Sequence, residues 1–116
     1  MSDGIAMVGF GEAGQAFVAG WGNGAAKRVA ACDLRAGDGA LQADARDLDV
    51  ALHGAPGPAL AGAGMVFCLV TADQALAAAT AAAPHLPPGA LWIDGNSCAP
   101  GTKRRAAAVI DGAGGR

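Results

Sequence analysis

The sequence predicts an α/β fold, a doubly wound parallel sheet with helices on both faces, and three observations lead there. Short apolar runs recur along the 116 residues, at Ile5 to Val8, Arg28 to Cys32, Met65 to Val70 and Leu91 to Ile93. None alternates cleanly with polar residues, as expected of parallel strands covered on both sides. Between the runs lie stretches with apolar residues at helical spacing, and strict alternation of strand and helix implies right-handed crossovers.

The elements follow in order. Ile5 to Val8 is a strand that enters Gly9-Phe10-Gly11-Glu12-Ala13-Gly14, after which Ala13, Ala16, Phe17 and Trp21 recur at helical spacing. Gly20, Gly22 and Gly24 are expected to end that helix, and the run closing on Asp33 completes a first βαβ unit. Ala40 to Leu48 predicts a helix, Val50 to Leu52 a short strand, and Gly54-Ala55-Pro56-Gly57-Pro58 a turn. Met65 to Val70 is a buried strand, and Thr71 opens the next helix. Leu91 to Ile93 runs into Asp94, and Pro100 falls in the first turn of a last helix whose Ala106, Val109 and Ile110 share a face.

Composition narrows the function classes. A single domain spanning residues 1–116 is long enough to bury a core without staples. Hydrophobic residues make up 53% and charged residues 16%, with a net charge of −2, which fits neither a disordered chain nor a broad nucleic-acid surface. Lys103-Arg104-Arg105 is a short basic cluster, read first as a solvated helix face. Met1-Ser2-Asp3 lacks a basic region followed by an apolar stretch, and the Ala-rich run after Gln74 stops at Pro84, short of a membrane span. A cytoplasmic protein is the expectation. Cys32, Cys68 and Cys98 show no C-x-x-C spacing, so neither a disulfide framework nor a metal site is expected, and Cys32 and Cys68 read as small core residues.

With 19 glycines in the chain, a G-x-G-x-x-G match arises by chance about half a time, so the pattern gains meaning only from context. It follows an apolar strand, opens a helix and sits inside a βαβ unit. Gly9 would permit the tight turn, Gly11 the approach of backbone to a pyrophosphate, and Gly14 close packing of helix on strand. The helix start adds unpaired N–H groups and a partial positive charge for phosphates, while Glu12 is expected to turn outward. Asp33 ends the second strand 19 residues after Gly14, where an acid reaches ribose hydroxyls and disfavours a 2′-phosphate. That favours NAD. Arg35 keeps NADP open, and Asp33 also has a plainer reading as a cap or turn residue. Gly9 to Gly14 with Asp33, Leu34 and Arg35 is therefore the candidate cofactor edge.

Two further segments reach the same rim. Thr71 and Gln74 match a capping box, so both have a structural role available, yet Val70, Thr71 and Ala72 follow a strand at the switch point and would border the cofactor. Asn96 and Ser97 follow the fifth strand; Asn96 is a candidate for cofactor and substrate, Ser97 for substrate or for a helix N-cap. No base accompanies Cys98. His53 and His85 are placed in surface loops, and Trp21 and Trp92 are assigned to packing.

Together, "VGFGEAG", "CLVTADQAL" and "IDGNSCAPGTKR" make the chain resemble, nearly end to end, the NAD-binding domain of the 6-phosphogluconate dehydrogenase and β-hydroxyacid dehydrogenase superfamily, in its phosphogluconate-dehydrogenase-like subgroup. The resemblance implies a Rossmann-type sheet and hydride transfer from a small hydroxy acid to a nicotinamide ring, with a lysine as acid/base. It also implies a sixth strand, that lysine and a helical C-terminal domain beyond "DGAGGR". Lys27 and Lys103 do not match the catalytic position, so no catalytic residue is assigned. The expectation is a cofactor domain, cut before the catalytic lysine, that binds NAD (or NADP) without turnover, with the hydroxy acid bound only by a complete enzyme. The sheet edge and helix faces left uncovered predict a homo-oligomer. The alternatives are a non-catalytic nucleotide sensor and, less favoured, an S-adenosylmethionine-dependent methyltransferase, because Ile5 to Val8 carries no acid ahead of the first glycine.

Overall fold

A computed structural model describes residues 4–21, 29–95 and 100–112. Its strands are β1 (Gly4–Val8), β2 (Val29–Cys32), β3 (Ala51–His53), β4 (Ala63–Cys68) and β5 (Leu91–Asp94). They form one parallel sheet in the order β3-β2-β1-β4-β5. The helices are α1 (Glu12–Trp21), α2 (Gly39–Asp47), α3 (Pro56–Leu60), α4 (Ala75–Ala82) and α5 (Pro100–Gly112). The architecture is the α/β fold expected.

The sheet has a core on each face, and this explains the unbroken apolar strands. Ala6 and Val8 of β1 join Val66 and Cys68 of β4 in a cluster with residues of α3, α4 and α5. Met7, between them, points the other way, into a cluster with Phe10, Val18 of α1 and Leu41 and Ala45 of α2. Met7 and Phe10 are completely buried. Each such side chain contributes about 1.5–3 kcal/mol relative to an exposed one. In α4, Ala75, Ala79 and Ala82 are buried at helical spacing, so the strongest helix former also gives a thin face on which Ala106 and Ile110 of α5 pack in the same cluster.

Register brings the strand ends level. Val8 pairs with Cys32 on one side and Cys68 on the other, Cys32 with His53, and Cys68 with Asp94. All five strands therefore stop on one line, and the segments that follow form a rim. Cys32 and Cys68 are buried free thiols, as expected, separated by the intervening β1. Two strand spacings, roughly 9.5 Å, put them beyond disulfide reach.

Several details differ from the sequence reading. Of the apolar positions expected on the inner face of α1, Ala16 is exposed, while the side chains of Ala13, Phe17 and Trp21 lie outside those described; Gly14 and Val18 are buried towards the sheet. Gly20 lies inside α1; Gly22 and Gly24 lie outside the described residues. The segment after β3 is a short helix over Pro56–Leu60, started by Pro56, where a turn was expected. A 3-10 turn (Ala72–Gln74) precedes α4, so Thr71 does not open that helix, and Gln74 at its N-cap makes no side-chain capping bond. Instead the Gln74 amide donates to the Thr71 carbonyl at 2.9 Å. The capping-box pattern is thus spent on a backbone turn. His53 is not in a loop but ends β3, whereas His85 is exposed in a second 3-10 turn. Trp92 packs against the α4 and α5 side of the core, as assigned.

Candidate functional site

The rim is built around Gly9. Its amide donates to the Cys32 carbonyl at 2.8 Å, and the Leu69 amide donates to the Val8 carbonyl at 2.9 Å, which wedges the turn between β2 and β4. Gly9 has φ +94°, and a Cβ there would stand 2.4 Å from the Leu69 carbonyl oxygen and 2.9 Å from Val70 Cγ1. Only glycine fits. A Cβ on Gly14 would lie 2.8 Å from the Gly9 carbonyl oxygen, so α1 starts pressed against the turn that precedes it.

Gly11 differs from both. Among the described residues a Cβ there would meet only the Nη2 of Arg35, at an ordinary 3.5 Å, so the backbone of Gly11 faces open space with an exposed guanidinium beside it. Its carbonyl accepts the first bond of α1, from the Gln15 amide at 3.0 Å. The amides ahead of Gln15 in that first turn have no acceptor within the helix. A concave turn with spare N–H groups at a helix start suits a phosphate group.

Phe10, between the two glycines, is held from three sides. Its ring is fully buried in the α1 and α2 cluster, so only its backbone belongs to the rim. Its amide donates to Asp33 Oδ2 at 2.8 Å, and its carbonyl accepts from Gln15 Nε2 at 3.1 Å. Gln15 is a residue the sequence reading missed; the available signal was a polar side chain in the first turns of α1, able to reach back over the loop.

Asp33 takes the turn role and adds a tie to the glycine loop. Oδ1 accepts the Arg35 amide at 2.8 Å, the local turn expected of an Asp, while Oδ2 reaches Phe10. The Arg35 Nε lies 3.5 Å from Oδ1, with the Arg35 side chain 64% exposed and that of Asp33 11% exposed. Leu34 is 91% exposed beside them. Beneath the turn, burial first and the charge of Asp33 second raise the Cys32 thiol from an ordinary 9.0 to about 11, against an opposing hydrogen bond with the Gly9 backbone.

Structure thus brings Gly9, Phe10, Gly11, Gly14, Asp33, Arg35 and Val70 to one place. Glu12 is exposed, as expected, at the start of α1, which continues through Ala13. Thr71, next in the chain after Val70, is exposed, and Ala72 follows in the 3-10 turn. Asn96, Ser97, Cys98 and Lys27 lie outside the described residues. Gly95, just before, donates to the Cys68 carbonyl at 3.1 Å, so the chain leaves β5 on the same rim. Among the described residues no cluster of three or more metal-ligating side chains occurs, and no helix is long and apolar enough to cross a membrane.

A five-stranded parallel sheet with a glycine turn at its β1 switch point defines a dinucleotide-binding α/β domain. The chain belongs to the family described as the NAD binding domain of 6-phosphogluconate dehydrogenase, whose model matches residues 4–116. No curated protein matches it in sequence. Among solved structures, a conserved hypothetical protein from Sinorhizobium meliloti 1021 is 42% identical with a TM-score of 0.90, over 99% of this chain and 40% of that one. A Mycobacterium tuberculosis 3-hydroxyisobutyrate dehydrogenase, in a structure with L-serine, shares the fold at 23% identity and TM-score 0.79, over 99% and 38%. An Aspergillus terreus reductive aminase in complex with NADPH does so at 18% and 0.70, over 100% and 39%. The chain therefore spans about two fifths of the length of these proteins.

Proposed function

We propose that the turn from Gly9 to Gly14 holds the pyrophosphate of a nicotinamide dinucleotide and that the chain is the cofactor-binding part of an oxidoreductase acting on a small hydroxy acid. One observation carries this reading: Gly9 and Gly14 are locked against neighbouring backbone, while Gly11 between them faces open space at the start of α1. The bound nicotinamide would supply the hydride acceptor. The protein's own part is to bind and orient it. Amides of Gly11, Glu12, Ala13 and Gly14 would meet the phosphates. Asp33 retains lone pairs beyond its two amide bonds and would accept from an adenosine ribose hydroxyl, with Leu34 and Arg35 along the same edge. Val70, Thr71 and Ala72 would border the nicotinamide side.

NAD is the preferred cofactor in this reading, because the Asp33 carboxylate disfavours a 2′-phosphate; the exposed Arg35 beside it makes NADP the second choice. The hydroxy-acid assignment draws support from the family resemblance and from the mycobacterial dehydrogenase that shares the fold. Asn96 and Ser97 would orient that substrate in the complete enzyme, and none of the described residues is assigned as its acid/base. We place the protein in the cytoplasm and expect a homo-oligomer, since among the described residues no strand pairs with the outer side of β3.

Titration of the 116-residue chain with NADH, NADPH and S-adenosylmethionine, followed by tryptophan fluorescence, tests the proposal. NADH should bind most tightly, NADPH more weakly, and S-adenosylmethionine not at all. Failure of both dinucleotides would overturn it. Hydroxy-acid oxidation by these 116 residues alone would overturn the expectation of binding without turnover.

A further inference from the structure

We infer that Gln15 is a positioning residue of the phosphate turn, acting by setting the direction of the Gly11 N–H. The inference rests on the cofactor reading above and concerns a residue which that reading does not use. Gln15 Nε2 donates to the Phe10 carbonyl at 3.1 Å, while the Gln15 backbone amide donates to the Gly11 carbonyl at 3.0 Å. One residue of α1 therefore grips both carbonyls of the Phe10-Gly11 pair.

The consequence follows from peptide geometry. The Phe10–Gly11 peptide is trans, so its C=O and N–H point in opposite directions. Turning the carbonyl to Gln15 turns the Gly11 N–H away from α1. That N–H has no partner among the described residues, and the space at Gly11 is open but for Arg35 Nη2. The preceding peptide is fixed by Asp33 on the Phe10 N–H, which leaves Phe10–Gly11 as the hinge that Gln15 controls. Without the side-chain amide, glycine's freedom at position 11 lets this peptide rotate and present its carbonyl to the anion instead. Gln15 thereby lowers the ordering cost of binding, and the gain is confined to ligands with a phosphate on that N–H.

Gln15→Met keeps length and removes the donor. Affinities of the wild-type and variant 116-residue chains for NAD+, ADP and adenosine should be measured by calorimetry, with the Gly11 amide followed by 15N NMR. The variant should lose roughly 3- to 10-fold for NAD+ and ADP and less than about 2-fold for adenosine. Its Gly11 amide should shift and exchange faster. Unchanged NAD+ affinity, or an equal loss for adenosine, would overturn the assignment of Gln15 while leaving the cofactor reading intact. If the wild-type chain binds none of the three, the cofactor reading fails, and an unaltered Gly11 amide in the variant would overturn the Gln15 inference as well. Should the variant not fold, the wild-type chain still decides: Gln15 Nε2 protons exchanging as freely as those of an exposed glutamine would overturn it.

Discussion

The Asp33 carboxylate accepts the Phe10 amide at 2.8 Å from the end of the neighbouring strand, so the acid expected to meet a ribose also ties down the glycine turn. Its other oxygen accepts the Arg35 amide, also at 2.8 Å. Two N–H donors from different segments thus converge on one carboxylate, and a neutral amide cannot serve both.

Asp33→Asn should therefore destabilise the chain even without ligand. Either orientation of the new amide sets an NH2 group against a backbone N–H. Leaving one partly buried donor unpaired costs about 1–3 kcal/mol. Urea unfolding of the ligand-free protein measures it; an unchanged midpoint would show that the carboxylate serves the ligand alone.

Gly9→Ala should be more damaging. The added Cβ would fall 2.4 Å from the Leu69 carbonyl oxygen, with φ at +94°. Neither strand end can retreat without breaking the Gly9 to Cys32 or Leu69 to Val8 bond. A loss on the order of 2–4 kcal/mol is expected, read as a fall in thermal midpoint.

Arg35→Ala should leave stability within about 0.5 kcal/mol, since the side chain is 64% exposed and its ion pair with Asp33 is largely solvated. Its effect belongs to the cofactor. NADPH affinity should fall by about 10-fold, the worth of one charge-assisted contact, while NADH affinity moves less than about 3-fold. Equal losses for both would remove Arg35 from cofactor discrimination.

Cys32 makes the alkaline limb of stability measurable. Its thiol is raised to about 11 in the folded chain from an ordinary 9.0, so the unfolded chain gives up this proton first. The contribution is fully present below pH 9 and is lost as pH rises from 9 towards 11. Urea midpoints across that range should fall less in Cys32→Ala than in the wild type. At pH 8 native Cys32 should also react with iodoacetamide far more slowly than the same thiol in urea.

Much of this molecule was written in local sequence. The unbroken apolar strands, their alternation with helices and the glycine turn after β1 were legible because each depends on residues within one or two elements. The same locality makes Gly9 and Asp33 recognisable as a pair, since spacing along one βαβ unit brings strand ends together. Contacts decided the rest. The burial of Val18 and the exposure of Ala16 depend on how closely Gly14 lets the helix approach Gly9. That the Thr71 and Gln74 pair forms a backbone turn and no cap was settled by the path of the chain over Val70 into the 3-10 turn. The double duty of Asp33 and the grip of Gln15 on Phe10 exist only once β2, the turn and α1 are assembled, because hydrogen bonds are chosen by position in space and not by adjacency in the chain.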